Sequence, residues 1–234
     1  LNIRLFREFE KHGDKQYFFE KDRVFKKDID DNNFFRDKIL TKYEYVIDEW
    51  MEEFKQYNPK FIGMSMLSSY SRAIATILSY KLRKEMPDTK IIWGGAEVTH
   101  RTKQYLDNGM IDFYVWGDGE QAILDLMAGN YDAPGINKDA TQLEDLNTVE
   151  IPNDDDIDWN QYYKLKFKKP VYVTGSRGCV KRCTFCNVYE IWPKYTFRSG
   201  ESIAKEIIAV REKYGRETFR FTDSLINGSM KAFK

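Results

Sequence analysis

Three cysteines, Cys179, Cys183 and Cys186, are the residues of this sequence whose type and spacing best suit chemistry. They are the only cysteines in 234 residues and fall within eight positions. Disulfide frameworks use even numbers of cysteines spread along a chain, so this cluster reads as a ligand set rather than a staple. Thiolates bind soft metals, and iron–sulfur clusters are held mainly by cysteine. The spacing is C-x3-C-x2-C. A structural zinc site needs a fourth ligand to complete its tetrahedron, and a closed four-iron cluster needs one too. The only histidines, His12 and His100, are distant in sequence. Three thiolates therefore leave one metal position open, where a substrate can bind. A zinc half-site or an electron-transfer module remains the bland alternative.

The elements that must hold this loop can be read from the surrounding pattern. Val171-Tyr-Val-Thr174 reads as a strand entering it. Glu201 to Tyr214 reads as a helix after it, with apolar Ile203, Ile207, Ile208 and Val210, Ser199 as N-cap and Glu201 in the first turn. Thr218 to Thr222 is the next strand, ending at Asp223. Upstream, strands and helices alternate. Lys60 to Met66, Lys90 to Trp93 and Ile111 to Val115 are apolar runs suited to buried parallel strands, and Gly94-Gly95 follows the second. Ser71 to Met86, Thr102 to Asp107 and Gly119 to Met127 read as the intervening helices, the first carrying Ile74, Ile77, Leu78 and Leu82 and stopping before Pro87. This order predicts an α/β protein with an open, doubly wound parallel sheet and ligands at the carboxyl ends of its strands. Residues 1–57 are aromatic and charged, and Phe34 to Leu40 and Tyr43 to Tyr57 read as amphipathic helices. Residues 136–169, with opposite charge runs at Asn153 to Asp156 and Lys164 to Lys169, read as an interdomain connection.

Thr174-Gly-Ser-Arg-Gly-Cys179 through Cys186, with a strand before and a helix beginning near Arg198-Ser199 after, resembles the start of a radical S-adenosylmethionine (SAM) core. The resemblance implies that Cys179, Cys183 and Cys186 hold a 4Fe–4S cluster whose fourth iron chelates the amino and carboxylate groups of SAM. One electron then breaks the sulfonium bond and yields a hydrogen-abstracting 5′-deoxyadenosyl radical. It also implies that Gly178 lets the backbone turn tightly, that Arg177, Lys181 and Arg182 offset cluster charge, and that Phe185 lies beside the adenine. Many relatives carry Gly-Gly-Glu at the end of the second barrel strand, contacting the SAM amino group. Here that position reads Thr222-Asp223-Ser224, and an aspartate is common there in the cobalamin-dependent subgroup, so Asp223 is the candidate.

The resemblance extends upstream. Ser65-Met-Leu67 and Gly94-Gly95, each at a strand end, are similar to the S-x-L and G-G signatures of cobalamin-binding domains, and Gly117-Asp-Gly-Glu120 is similar to a third loop of cobalamin-binding radical enzymes. Ser65, Leu67, Gly94, Gly95, Gly117 and Glu120 are thus the candidate cobalamin contacts. The D-x-H-x-x-G motif that ligates cobalt elsewhere is missing: Glu10-Lys-His12 has Lys15 where the glycine belongs. The implied layout is a Rossmann-like (flavodoxin-like) cobalamin-binding domain over 1–135, a linker over 136–169, and the N-terminal part of a partial (β/α)6 TIM-type radical SAM barrel over 170–234. Leu1 to Phe6 resembles the end of a second strand, so the chain reads as an interior fragment, and the helical stretch 7–57 is less typical of the family.

Composition narrows the partners. Lys plus Arg and Asp plus Glu are both 37, which removes bulk charge as a way to recognise nucleic acid or an anionic membrane. No apolar run approaches the roughly 20 residues of a bilayer span, and no signal peptide opens the chain, so a cytoplasmic protein is expected. The expected enzyme is a cobalamin-dependent radical SAM methyltransferase, or a related rearrangement or cyclisation catalyst, with a small-molecule substrate and an electron donor such as a flavodoxin or ferredoxin. Two alternatives stay open: a radical SAM enzyme whose Rossmann-like domain binds no cobalamin, and a non-catalytic metal-binding module.

Overall fold

A computed structural model describes residues 11, 41–156 and 170–230. The expected helix Phe34 to Leu40, the strand end at Leu1 to Phe6, His12 and the Lys164 to Lys169 run lie outside the described residues. The chain divides into two compact units, residues 1–119 with 136–138, and residues 120–135 with 139–234.

The first unit is a parallel sheet with helices. Its strands are β1 (Phe61–Ser65), β2 (Lys90–Gly94) and β3 (Phe113–Tyr114), in that spatial order. Phe61 pairs with Lys90 and Ser65 with Gly94, while Ile92 and Trp93 pair with Phe113 and Tyr114. Ile91, Ile92 and Trp93 are all buried, as expected of a central strand covered on both faces. The third strand is shorter than Ile111 to Val115; Val115 still donates its amide to the Trp93 carbonyl at 2.8 Å and on its other side forms an antiparallel bridge to Ile136. Asn137 secures that return: its amide donates to the Tyr114 carbonyl at 2.9 Å, and its Oδ1 accepts from the Tyr114 amide at 2.8 Å.

Helix α1 (Thr41–Tyr57) is no peripheral insert. Tyr43, Val46, Ile47, Trp50 and Met51 recur at three- and four-residue spacing and lie in the core with Trp93 and Leu82. Burying each such side chain is worth roughly 1.5–3 kcal/mol. The helix ends at Asn58, which takes a positive φ of 42° just before Pro59. Helix α2 (Ser69–Glu85) begins with a capping box. Ser71 Oγ accepts from the Ser68 amide at 2.9 Å, and Ser68 Oγ from the Ser71 amide. At its other end, Arg83 reaches Asp112 at 2.6 Å and the Gly109 carbonyl at 3.0 Å, fixing the approach to β3. Burial alone would push the Asp112 carboxyl up. The Ile91 amide, Arg83 and Lys90 outweigh it and hold Asp112 below the ordinary carboxylate value. A 3-10 turn (His100–Thr102) and α3 (Lys103–Asp107) follow β2.

The second unit begins with α4 (Glu120–Met127) and includes a 3-10 turn (Leu146–Thr148). Strand β4 (Val171–Val173) pairs in parallel with β7 (Phe219–Phe221), Val171 opposite Phe219 and Val173 opposite Phe221. Helix α6 (Gly200–Tyr214) is the crossover between them, so β4–α6–β7 is a βα repeat of the kind that builds barrels. Ser199 caps α6 by accepting from the Ser202 amide at 3.1 Å, and Gly215 ends it at φ 64°. A small antiparallel hairpin, β5 (Ser176–Arg177) with β6 (Thr196–Phe197), was not evident from the pattern. It closes the base of the cysteine loop, whose only helix is α5 (Val188–Ile191). Among the described residues, no helix is long and apolar enough to cross a membrane.

Candidate functional site

The candidate residues fall into two groups, one in each unit. In the first unit, Ser65, Leu67, Gly94, Gly95 and Gly117 lie at the carboxyl ends of the parallel strands or in the loops that follow, where open α/β sheets bind ligands. Ser65 and Gly94 are register partners. Leu67, on the short loop between β1 and α2, is 79% exposed. The two adjacent glycines differ. Gly95 has φ 92°, and a Cβ there would sit 2.5 Å from the Met66 carbonyl oxygen. The loops after β1 and β2 approach backbone to backbone here, with the Met66 amide donating to Gly94 at 2.8 Å and the Glu97 amide to Met66 at 3.1 Å. Gly95 is thus required by the chain itself. At Gly94 a Cβ would meet nothing within 4 Å. That open space beside exposed Ser65 and Leu67 fits the close backbone approach of a flat, amide-bearing cofactor such as cobalamin. Gly117 takes φ 89° in the loop after β3.

In the second unit the cysteine loop runs from the β5 strand to the β6 strand. Gly178, at φ 81°, needs its glycine, because a Cβ would collide with the Lys194 carbonyl oxygen on the returning limb. Cys183 is exposed, Cys179 and Cys186 are half-buried, and none is in a disulfide. The Lys181 amide approaches Cys179 Sγ at 3.4 Å, and the Cys186 amide donates to the Cys183 carbonyl at 3.0 Å. Among the described residues, no three His, Cys, Asp or Glu side chains converge into a preformed metal cage. The donor set is three thiols on one surface loop, and thiolates are the ligand type that iron–sulfur clusters use. Phe185, before the last cysteine, is 91% exposed and is not packed among the described residues.

Asp223 does reach the loop. Its Oδ2 accepts from the Gly175 amide at 3.1 Å, and its Oδ1 accepts from the Ser176 hydroxyl, which pins the strand end that opens the motif. A carboxylate has about four acceptor sites, so further donors can still be bound. Beside it, Gly175, Ser176, Tyr195, Phe197, Arg198, Phe221 and Asp223 line a cavity of about 240 Å³ at the carboxyl ends of β4 and β7. The cations expected to offset cluster charge are disposed differently. Arg177 turns to Glu120, 2.6 Å away. Arg182 donates to the Pro193 carbonyl at 2.6 Å and lies over the Tyr189 ring. Lys181 is exposed. Glu120 is therefore an ion-pair partner on α4, whatever else its loop contacts.

Sequence reasoning missed a buried ion pair. Arg198, 6% exposed, meets Glu206, 3% exposed, and also donates to Ser202 Oγ at 3.1 Å and to the Thr174 carbonyl at 3.3 Å. A signal existed: Glu206 falls on the side of α6 that carries Ile203, Ile207 and Val210, where a carboxylate belongs only if paired. It also missed three anchors in 139–156. Gln142 bonds the backbone of Lys194, Asn147 Oδ1 accepts from the Ser199 amide at 2.8 Å, and Asp155 pairs with Lys213 at 2.8 Å. Polar residues in a polar stretch give no such signal.

Comparison with known proteins agrees with this geometry. The family model described as B12 binding domain matches residues 31–127, a span that takes in α1. The chain is 25% identical over 173 residues to an anaerobic magnesium-protoporphyrin IX monomethyl ester cyclase from Synechocystis, covering 67% of this chain and 34% of the relative. It is 22% identical over 240 residues to cytidylyl-2-hydroxyethylphosphonate methyltransferase from Streptomyces wedmorensis, covering 83% and 45%. The chain thus spans less than half the length of these curated relatives. A solved radical S-adenosylmethionine methyltransferase, TsrM from Kitasatospora setae, shares the fold with a TM-score of 0.58 at 16% identity, over 80% of this chain and 41% of that one. The match to the B12 binding domain model over residues 31–127 thus lies, in sequence, ahead of a three-cysteine loop on a βα repeat.

Proposed function

We propose that this chain is the cofactor-binding part of a cobalamin-dependent radical SAM enzyme that transfers a methyl group to carbon or drives a related radical rearrangement or cyclisation. The observation that carries the reading is the set of three thiols on one exposed loop at the carboxyl ends of β4 and β7. Cys179, Cys183 and Cys186 hold a 4Fe–4S cluster with one open iron. When bound, the cluster supplies the electron that cleaves SAM to a 5′-deoxyadenosyl radical, and cobalamin supplies a methyl carrier. The chain's own residues bind and orient. Phe185 offers its exposed face to the adenine, and Asp223 offers remaining acceptor sites to the SAM amino group. Ser65, Leu67, Gly94, Gly95, Gly117 and Glu120 belong to the loops that cradle cobalamin. The exposed cysteine loop suits an external electron donor such as a flavodoxin or ferredoxin, and the substrate is a small molecule. That one relative is named a methyltransferase and another a cyclase supports keeping both reaction types.

The test is anaerobic reconstitution with iron and sulfide, followed by EPR of the reduced protein with and without SAM and by cobalamin titration. A 4Fe–4S signal that shifts with SAM and is lost in Cys183→Ala, with stoichiometric cobalamin uptake, is the expected result. A signal indifferent to SAM, or a protein that takes up only zinc, overturns the radical reading. SAM-responsive protein that ignores cobalamin overturns the cobalamin part alone.

A further inference from the structure

The cysteine loop is closed by a very short hairpin. Only Ser176 with Phe197 and Arg177 with Thr196 pair across its base, which is little to hold a long loop in one conformation. A third segment supplies what the hairpin lacks. Gln142 Nε2 donates to the Lys194 carbonyl at 2.8 Å and to Thr196 Oγ1 at 3.1 Å, while Gln142 Oε1 accepts from the Lys194 amide at 3.0 Å. One side-chain amide thereby mimics a neighbouring strand, satisfying both backbone groups of the residue next to the hairpin's end. Lys194 is also the residue whose carbonyl sits against Gly178, immediately before Cys179. A continuous line of contacts thus runs from Gln142 through Lys194 to Gly178 and the first cysteine, all within the second unit.

We propose that Gln142 is a positioning residue for the cysteine loop: by fixing the Lys194 backbone against Gly178, it sets where Cys179 stands relative to Cys183 and Cys186. This inference rests on the reading of those cysteines as cluster ligands. Gln142 touches no thiol; it acts through Lys194. No other residue type does the same. Glutamate keeps the acceptor for the Lys194 amide but sets a carboxylate oxygen against the Lys194 carbonyl, and alanine removes all three bonds.

The experiment compares wild type, Gln142→Ala and Gln142→Glu in the full chain. In the metal-free reduced protein, amide hydrogen exchange at Lys194 and in the loop 178–195 is expected to accelerate about tenfold in Gln142→Ala, equivalent to roughly 1.4 kcal/mol of local stability for three partly exposed hydrogen bonds lost together. Exchange in α6 is expected to stay unchanged. Gln142→Glu should fall between the two. After anaerobic reconstitution, Gln142→Ala should give a cluster with a broadened reduced EPR signal that a chelator strips about tenfold faster, with Gln142→Glu again intermediate. Loop exchange and EPR indistinguishable from wild type in both variants would overturn the proposal. Accelerated exchange with an unaltered cluster would also overturn it, because Gln142 would then stabilise the fold without positioning the ligands. If wild type itself takes up no iron–sulfur cluster, the cluster reading fails first and the proposal falls with it.

Discussion

Replacing Glu206 with alanine should be far more damaging than its position in the middle of a surface helix suggests. Arg198 and Glu206 are each more than nine-tenths buried, so water does little to screen them and no discount for exposure applies. The guanidinium joins three things: the Thr174 carbonyl at 3.3 Å, Ser202 on the first turn of α6, and Glu206 a turn further on. Its own backbone amide donates to the Gly175 carbonyl at 2.8 Å, so one residue is fixed at both ends to the strand exit before the cysteine loop. Glu206→Ala leaves a buried cation with only neutral acceptors. Removing one member of a buried pair typically costs about 3–5 kcal/mol, and the surviving bonds to Ser202 and Thr174 place the expectation near about 3 kcal/mol. Replacing both charges, Arg198→Met with Glu206→Leu, removes the uncompensated charge and should return to within about 1 kcal/mol of wild type. Because the chain has two units, a global unfolding midpoint is the wrong observable. Native-state hydrogen exchange of the α6 amides reads the local loss directly. The single variant should weaken protection there more than the double, and 1 M salt should not erase the difference, since screening acts on exposed charges. A Glu206→Ala variant with α6 protection within about 1 kcal/mol of wild type, or a double variant worse than the single, would refute a desolvated, mutually dependent pair.

The two glycines after β2 should separate structure from ligand binding. Gly95→Ala meets a positive φ and the Met66 backbone together and should lower the stability of the first unit by about 2–4 kcal/mol, read from native-state hydrogen exchange of its amides, whereas Gly94→Ala should stay within about 0.5 kcal/mol of wild type yet weaken cobalamin binding in an absorbance titration. Equal effects of the two on the cobalamin-free protein would contradict the geometry. Asp112→Asn should destabilise the first unit at neutral pH. Since the folded Asp112 pKa lies below its ordinary 3.8, its contribution is fully present above about pH 4. The gap between wild type and variant should therefore close only as pH falls below 4 and through the depressed value. A gap that closes between pH 6 and 5 in denaturant titrations would assign the effect to another group.

Much of the fold was legible because parallel strands leave apolar runs that need no periodicity: Lys90 to Gly94, buried at its centre, and Phe61 to Ser65, only partly buried, are both found as strands, and α2 and α6 follow their apolar stripes. Boundaries moved where tertiary contacts took over. Val115 reads as strand by composition and still bonds Trp93, but Ile136 and Asn137 return to the sheet edge beside it, an interaction without local signature. Helix α1 was periodic and correctly read as a helix. Its amphipathicity said that one face is buried, not against what; the structure places that face in the core with Trp93 and Leu82. The β5–β6 hairpin escaped because two residues on each strand are too few to show a period of two.

The site poses a different problem, since one residue type serves the chain at one position and an external group at the next. Gly94 and Gly95 are indistinguishable in sequence. Structure separates them by asking whether the chain explains each glycine: Met66 accounts for Gly95, and nothing in the chain accounts for Gly94. The same question sorts the rest. Arg177 and Glu120 use their charges on each other, and Asp223 spends two acceptor sites on Gly175 and Ser176. The exposed rings and aliphatic groups of Phe185 and Leu67, and the open thiols, meet no comparable demand from the fold. Exposing a large apolar side chain on a loop tip forgoes roughly 1.5–3 kcal/mol of burial, a cost that a contact made only in the loaded protein would recover. The residues that the fold leaves unexplained are therefore the ones on which the cofactor reading rests. They are also the ones whose substitution should change binding while leaving the stability of the cofactor-free chain nearly untouched.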